Sequence, residues 1–216
     1  MNKVIEPTSD QLLFSSLCPT LVLCSTSPNR KKLLECGGSS VSVFSPLTDE
    51  KTNGLTTEDA MKKNAREKIE CYLNSKEFDP SQVAISADTL VEIDGLLLGK
   101  PKDKDDAFLT LSMLSGKVQK VYTGCAIFIP ESGLSIFCDS ALVKFHSLSK
   151  KEIEDYIETN EWVGAAGGYR IQKSGYTLIQ SITGDYFTVV GLPLKKLIQI
   201  IQEARRSAPS QAVKSS

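Results

Sequence analysis

A carboxylate and a lysine lie in one stretch of this chain, residues 86–102, whose residue types suit phosphate chemistry. The apolar run Val83-Ala84-Ile85 predicts a buried strand, and Asp88 follows where that pattern stops. Lys100 comes later, between a glycine and a proline. A carboxylate at a strand end with a fixed cation nearby suits a site that binds a metal ion and phosphate. The simpler alternative is that Asp88 only caps a turn.

A turn rich in serine and threonine supplies a second group of candidates. Residues 20–24 predict a short buried strand, after which Ser27 can cap a helix with Pro28 at its first position. The N–H groups at a helix start bind anions, and Arg30 lies in this first turn. Gly37 is predicted to end the helix in the left-handed conformation. The turn and helix therefore predict a phosphate-binding element.

Further polar positions could complete such a site. Lys68 falls at the edge of the apolar face of a helix that Thr56 is predicted to cap. Its side chain either extends along the helix to water or turns inward to the site. A polar loop carries Asp49 and Glu50, and a segment rich in small residues leads to Gln172. Together these groups supply carboxylates for a divalent ion and an activated water, and cations for phosphate oxygens.

Familiar catalytic and nucleotide-binding signatures are missing. Neither Gly-x-x-x-x-Gly-Lys-Ser/Thr nor Gly-x-Gly-x-x-Gly occurs. The pair Asp88-Thr89 precedes Leu90 where an aspartic protease has glycine, and no second copy supplies the required dyad. A Ser-His-Asp or Cys-His site would have to rest on His146, whose alternating surroundings predict a solvent-facing strand position.

Composition excludes several classes of protein. The net charge is −1, which gives no strongly basic field for nucleic acid or a membrane surface. No apolar run has the length of a signal peptide or a membrane span. The 6 cysteines are scattered without a Cys-x-x-Cys pair, which favours reduced thiols over a zinc site. We therefore expect a cytoplasmic protein with no nucleic-acid or membrane partner.

The pattern of elements predicts the fold class. Strand and helix patterns alternate early in the chain, and two longer strand-like runs follow in its middle. Asp94-Gly95 between two apolar runs predicts a tight hairpin. We expect one α/β domain over residues 20–206, with a mixed central sheet flanked by helices. Residues 1–19 are predicted to be a loose N-terminal arm, and residues 207–216 a disordered tail.

Four ordered blocks of the sequence resemble the Maf family of nucleotide pyrophosphatases, from about Leu21 to Leu197. The blocks are Ser25-Thr26-Ser27-Pro28-Asn29-Arg30; Ala65-Arg66-Glu67-Lys68; Ala87-Asp88-Thr89 with Leu98-Gly99-Lys100-Pro101, Leu114-Ser115-Gly116 and Tyr122-Thr123-Gly124; and Gly168-Tyr169-Arg170-Ile171-Gln172 with Gly184-Asp185-Tyr186 and Val190-Gly191-Leu192-Pro193.

The resemblance implies a fold and an activity. The fold is a mixed sheet with flanking helices and two lobes around a cleft. The activity is hydrolysis of a nucleoside triphosphate between its α and β phosphates, which releases a monophosphate and pyrophosphate with Mg²⁺ or Mn²⁺ as cofactor. A homodimer is a further expectation that the family raises.

The resemblance also implies roles for individual residues. Asp88 would activate the water and is a candidate metal ligand, with Glu50 as a second metal carboxylate and Asp49 as its competitor. The residues implied for phosphate binding are Ser25, Ser27, Arg30, Lys68 and Lys100. The residues implied for base choice are Asn29, Thr89 and Gln172.

The chain departs from the pyrimidine-selective branch of this family in two places. Asn29 stands where that branch has its first arginine, and a short amide replaces a charged fork of five donors. The run from Trp162 replaces an acidic segment, and the indole either stacks on a base or, as we favour, covers the core. Arg170 and Lys173 flank Gln172 and add charge and bulk. These departures predict an altered or broader base preference.

The sequence therefore predicts a metal-dependent nucleoside triphosphate pyrophosphatase that clears unwanted or modified nucleotides. The alternative is a nucleotide-binding regulator of cell division with the same fold and little turnover; a structural or scaffold role comes third. Asp88, Lys68 and Lys100 together favour the enzyme, because a protein that only binds nucleotide needs no base beside the phosphates.

Overall fold

Seven strands in the described part of the chain form one mixed sheet. The structure is a computed structural model and describes residues 6–49 and 54–207. The strands are β1 (Thr20–Cys24), β2 (Ser40–Phe44), β3 (Val83–Ile93), β4 (Leu96–Leu98), β5 (Val118–Ile129), β6 (Gly133–Phe145) and β7 (Ile179–Thr183). Their order is β2-β1-β3-β5-β6-β7, with β4 paired to β3 outside this path. Strand β1 is parallel to β2 and β3, and the other pairs are antiparallel, which confirms the predicted mixed sheet.

Helices cover both faces of this sheet. They are α1 (Ser9–Leu17), α2 (Pro28–Cys36), α3 (Thr57–Leu73), α4 (Lys104–Leu114), α5 (Lys150–Glu158), α6 (Tyr186–Val190) and α7 (Leu194–Ser207), with short 3₁₀ turns at Ala166–Gly168 and Ser174–Leu178. The predicted cap at Thr56 and the hairpin at Asp94-Gly95 are confirmed. Across the described ranges, no helix combines the length and the apolar character needed to cross a membrane.

The buried side chains separate into the cores of two lobes. In the first lobe, α1, α2 and α7 pack on one face of β1, β3 and β5, and α3 packs on the other face. Strand alternation produces this division, since Ile85 and Ala87 belong to one core and Ala84 to the other. In the second lobe, α4 and α5 pack on the far halves of β3 and β5 together with Trp162 and Tyr169. The expectation of two lobes is confirmed.

Strand β3 changes partners along one of its edges. Residues 83–85 pair with β1, and residues 91–93 pair with β4 on the same side of the strand. Between them, residues 86–90 pair with β5 on the other side, and no described strand covers their free edge. The sheet is therefore open at Asp88, between the two lobes.

The prediction of a loose arm over residues 1–19 is wrong for the part that the structure describes. Thr8 and Gln11 form a capping box at the start of α1, and Phe14 is buried in the first core. Gln11 Nε2 also donates to the Leu33 carbonyl over 2.9 Å. The apolar residues of α1 are few, so its periodicity is weak, and its contacts with α2 and α7 hold it. The predicted tail lies outside the described residues except Ser207, which ends α7.

Two local predictions need correction. Gly37 has φ −78°, and the left-handed residue after α2 is Gly38, with φ +104°. Gly37 is instead a point of close approach, because a Cβ there would lie 2.3 Å from the Gln11 carbonyl oxygen. The sequence also predicts a strand near residues 176–182, but β7 begins only at Ile179, because the chain forms a 3₁₀ turn before it.

Candidate active site

A cleft of about 340 Å³ opens between the lobes at the free edge of β3. We call it the interlobe cleft. Its walls are the turn after β1, the middle of β3, the segment after β4 and residues 164–172. The predicted site residues that line it are Ser25, Ser27, Asn29, Arg30, Lys68, Asp88, Thr89, Lys100 and Gln172. The structure thus brings these predicted residues together. Asp49, predicted as a competing metal carboxylate, lines a separate surface depression instead of this cleft, and Glu50 lies outside the described residues.

Asp88 lines the cleft with both carboxylate oxygens hydrogen-bonded. Lys68 Nζ donates to Oδ1 over 2.8 Å, and Asn64 Nδ2 donates to Oδ2 over 2.8 Å. All three side chains are buried. Lys68 therefore turns inward rather than along the helix to water, and Asp88 lies within β3 rather than capping a turn.

Opposing effects set the pKa of Asp88. Burial is the largest and would raise the pKa, because desolvation disfavours the charged form. The charge and hydrogen bond of Lys68, the hydrogen bond from Asn64 and the charge of Arg30 together outweigh burial and lower the pKa below 3.8. Asp88 is therefore ionised at neutral pH, which suits both cation binding and the activation of water.

Gly124 allows α3 to reach this carboxylate. Gly124 pairs with Asp88 across β3 and β5. A Cβ at position 124 would lie only 2.1 Å from the carbonyl oxygen of Met61 in α3. Helix α3 can therefore lie close to the sheet one turn before Asn64 and Lys68, which brings their amide and ammonium groups to Asp88.

Arg30 ties together three segments around the cleft. Its Nε donates to the Gly191 carbonyl over 2.7 Å, its Nη1 to Ser25 Oγ over 3.1 Å, and its Nη2 to Thr89 Oγ1 over 2.9 Å. The guanidinium is buried, although Arg30 lines the cleft. Its N–H groups thus hold the turn after β1, strand β3 and the end of α6 in place, while its positive charge faces the site.

The start of α2 and Lys100 form the outer polar part of the cleft. Ser27 caps α2 with Pro28 in the first turn, as predicted, and the Ser27 N–H donates to Ser25 Oγ over 3.2 Å. Lys100 lines the cleft and is exposed to solvent. An anion in the cleft would therefore meet a helix start and a mobile ammonium group.

Thr89 lies on the opposite face of β3 from Asp88. Its Oγ1 shares a 3.0 Å hydrogen bond with Thr123 Oγ1, whose hydroxyl donates to the Thr188 carbonyl over 2.8 Å. Thr89 and Gln172 are half-buried, and the apolar side chains near them in the lining are Val91, Val121, Tyr169, Ile171 and Val189. This part of the cleft is apolar with a few polar groups, which is typical of a pocket for a planar ring.

The second-lobe wall of the cleft, residues 161–175, is held by backbone contacts. Arg170 Nε donates to the Glu161 carbonyl over 2.8 Å, and Nη2 to the Val163 carbonyl over 2.6 Å. Gly167 and Gly168 have φ of +68° and +72°. A Cβ on Gly167 would lie 2.9 Å from Val91 Cγ2, so this small residue allows the wall to pack against β3.

Trp162 belongs to the core of the second lobe. It is buried, and its indole N–H donates to the Ile157 carbonyl over 3.1 Å. The core-covering interpretation is therefore confirmed. Of the two cations predicted to add charge and bulk at the pocket, Arg170 lines the cleft and donates to wall carbonyls, whereas Lys173 is exposed and lies outside the lining.

The donor groups of the cleft suit some chemistries and not others. Among the described residues, Asp88 is the one carboxylate in the lining, which holds neither a cysteine nor a histidine. Burial raises the pKa of the Cys125 thiol to about 12, and His146 is exposed just after β6. No cluster of three metal-ligating side chains occurs within residues 6–49 and 54–207. An oxygen-preferring divalent ion that shares Asp88 with substrate phosphates fits this donor set.

Two residues of the site were not predicted from the sequence. Asn64 is an asparagine inside a helix, and such residues are usually exposed, so only its spacing of four from Lys68 points to a shared face. Gly124 lies in a long strand, where an isolated glycine can indicate a close backbone approach.

Comparison with known proteins gives consistent results. The family described as Maf-like protein matches residues 20–204. A dTTP/UTP pyrophosphatase of Bacillus pumilus is 40% identical over 183 residues, which cover 84% of this chain and 95% of that protein. A dTTP/UTP pyrophosphatase of Pyrococcus furiosus is 39% identical over 190 residues, which cover 84% and 94%. One solved structure is also similar, a nucleoside-triphosphatase / dITP/XTP pyrophosphatase from Mycobacterium abscessus. The match covers 87% of this chain and 96% of that chain at 15% sequence identity, with a TM-score of only 0.38.

Proposed function

This chain belongs to the Maf family, and on that basis we propose that it hydrolyses nucleoside triphosphates to nucleoside monophosphates and pyrophosphate. The observation that carries the proposal is Asp88, an ionised carboxylate that lines the cleft and is clamped by Lys68 and Asn64. A helix start and Lys100 lie in the same cleft, which supplies binding groups for phosphate beside a group that can activate water.

Asp88 acts as the proton acceptor in this proposal. In the structure Lys68 occupies Oδ1. A triphosphate in the cleft offers Lys68 stronger negative partners, so its ammonium turns to phosphate oxygens and leaves Oδ1 to a water molecule. With Lys68 on the phosphates, Asp88 can accept a proton from that water as it attacks.

The phosphate groups are held mainly by mobile and backbone donors. Lys100 can follow the triphosphate because it is exposed at the cleft, and the Asn29 N–H in the first turn of α2 can donate to a phosphate oxygen. Arg30 keeps Ser25 and Thr89 in place and adds a fixed positive charge.

A divalent cation completes the site in this proposal. Asp88 would hold it together with phosphate oxygens of the substrate, and Glu50 is a second candidate outside the described residues. Mg²⁺ or Mn²⁺ bound in this way would neutralise negative charge on the phosphate oxygens.

The apolar part of the cleft receives the base. Val91, Val121 and Tyr169 offer surfaces for a ring, and Thr89 and Gln172 lie beside them. Two relatives carry the name dTTP/UTP pyrophosphatase. We include these pyrimidine nucleotides among the substrates, and Asn29 predicts acceptance of other or modified bases beside them. Cys18, Cys24, Cys71, Cys125 and Cys138 are free thiols, which supports a cytoplasmic site of action.

A substrate panel tests the proposal. Purified protein with Mg²⁺ or Mn²⁺ is given common and modified nucleoside triphosphates, and monophosphate and pyrophosphate are measured. We expect turnover with equal amounts of both products. The Asp88→Asn variant should lose about two to four orders of magnitude in kcat and still bind nucleotide. Nucleotide binding by the wild type without turnover on any substrate would reject the enzyme and favour the regulatory alternative.

A further inference from the structure

Asn64 is a buried asparagine that binds Asp88 with only one end of its amide. The side chain is 2% exposed, and its Nδ2 donates to Asp88 Oδ2 over 2.8 Å. Its Oδ1 is buried and has no hydrogen-bond partner among the residues that the structure describes. Asp88 is ionised and accepts only, so the amide must present its N–H₂ group to the carboxylate. The unpaired Oδ1 is therefore a consequence of the contact with Asp88.

Asparagine at this position is unfavourable for the fold. A buried carbonyl without a partner loses its hydration and receives nothing in return. Asparagine also has lower helix propensity than leucine or alanine. Position 64 lies inside the 17-residue helix α3, and its neighbours on the same face include Met61 and Ala65. An apolar residue would satisfy both the helix and its packing, so the reason for asparagine here is its contact with Asp88.

Asn64 and Lys68 lie four residues apart and hold the two oxygens of Asp88 from the same helix face. The two contacts differ in what happens when substrate binds. Lys68 carries a charge that triphosphate oxygens attract, whereas the neutral amide of Asn64 has little affinity for them. When Lys68 moves to the phosphates, the amide is the contact that remains on the carboxylate.

We propose that Asn64 is a positioning residue of the hydrolysis, which anchors Oδ2 of Asp88 so that Oδ1 keeps its direction toward the attacking water after Lys68 has moved. This inference rests on the proposed function. Anchoring of one oxygen fixes the plane of the carboxylate, and a misplaced base loses much of its effect. The unpaired Oδ1 lowers the stability of the fold, and it results from the contact of the amide with Asp88.

The test replaces Asn64 with leucine, which has the same branched skeleton of heavy atoms and no polar atoms. In the Asn64→Leu variant we expect kcat to fall about 10- to 100-fold, while KM for the triphosphate changes less than about threefold because the phosphate-binding groups remain. The urea midpoint should fall modestly, because the buried Asp88 Oδ2 loses its donor while removal of the unpaired carbonyl offsets only part of that loss. Asn64→Ala should show the same fall in kcat, which separates loss of the amide from the shape of leucine.

A matched control comes from the other buried amide on a helix. Gln11 lies in α1, away from the cleft lining, and donates to the Leu33 carbonyl. Gln11→Leu should lower the urea midpoint and leave kcat unchanged. A wild-type kcat in Asn64→Leu, whatever its stability, would overturn the inference and leave the proposed function intact. A wild type without turnover on any nucleotide would instead reject the proposed function itself.

Discussion

The two sides of the interlobe cleft are built by different means. On the side of β3 and α3, charged and amide side chains on regular elements hold one another, as in the contacts of Lys68 and Asn64 with Asp88. On the second-lobe wall, residues 161–175, turns and positive-φ glycines place the backbone, and Arg170 holds it through carbonyl oxygens.

An enzyme that accepts several nucleotides has two structural requirements, and each side of the cleft meets one of them. The reacting groups must keep one geometry, and side chains locked on a strand and a long helix provide it. The wall that meets the base can differ between proteins without disturbing those groups, because its own backbone bonds hold it. Substitutions on the first side should therefore change kcat and stability, and substitutions on the second should change KM and base choice.

The largest expected effect is on the buried ion pair. Lys68→Met leaves the Asp88 carboxylate buried without its cation, and the free energy of unfolding at pH 7 should fall by about 3–5 kcal/mol. Urea titration checks this value. The double variant with Asp88→Asn removes both charges and should recover a large part of the loss; a double variant as unstable as Lys68→Met would contradict the ion-pair explanation.

The same ion pair makes the stability of the folded protein depend on pH. The folded-state pKa of Asp88 lies below its ordinary value of 3.8, so its contribution to stability is present above that pH. The contribution is lost as pH falls through the lower folded-state pKa. The Lys68→Met variant lacks this interaction, so the stability difference between it and the wild type should shrink as the solution is acidified.

The second effect tests whether the backbone of α3 sets the catalytic geometry. Gly124→Ala places a methyl group against the Met61 carbonyl and should push α3 away from Asp88. We expect a loss of about 1–3 kcal/mol in unfolding free energy and a clear fall in kcat. Gly133→Ala is a control without such a contact, although its positive φ costs some stability. A normal kcat in Gly124→Ala would show that helix position is not critical.

A smaller effect is expected on the second-lobe wall. Arg170→Ala removes the donors to two carbonyl oxygens and should raise KM about tenfold, equivalent to about 1.4 kcal/mol, with kcat nearly unchanged. Lys173→Ala removes a nearby exposed charge outside the lining and should have no such effect. Steady-state kinetics on the best substrate measure both. A loss confined to kcat in Arg170→Ala would break the proposed division of roles.

The smallest effect concerns base choice. Asn29 lines the cleft and is half-buried at the start of α2. Asn29→Arg adds a charged donor fork and should shift the ratio of kcat/KM values toward pyrimidine triphosphates by a few-fold. An unchanged profile over the substrate panel would show that position 29 does not select the base.

Local patterns predicted much of the fold. Caps at Ser27 and Thr56, the Asp94-Gly95 turn and the long central strands follow from neighbouring residues, and the structure confirms them. Helix α1 was missed because its stability comes from contacts with α2 and α7, which are distant in sequence. A helix held mainly by tertiary contacts leaves little local signal.

The site was predicted as a set of residues without its contacts. The blocks that resemble the Maf family identified Asp88, Lys68 and Arg30, but residue types do not specify that Lys68 bonds Asp88 or that Arg30 bonds Thr89. These pairs meet only because Gly124 and Gly191 permit close approach in the folded chain.

Strands β3 and β5 belong to both lobes. Each strand contributes side chains to the core of the first lobe and, further along, to the core of the second. The lobes therefore share continuous, hydrogen-bonded strands and are not joined by a flexible linker. Movement of one lobe against the other must twist or bend these strands, so the width of the cleft is an elastic property of the sheet. Nucleotides of different size would be accommodated by small changes in the twist of these strands.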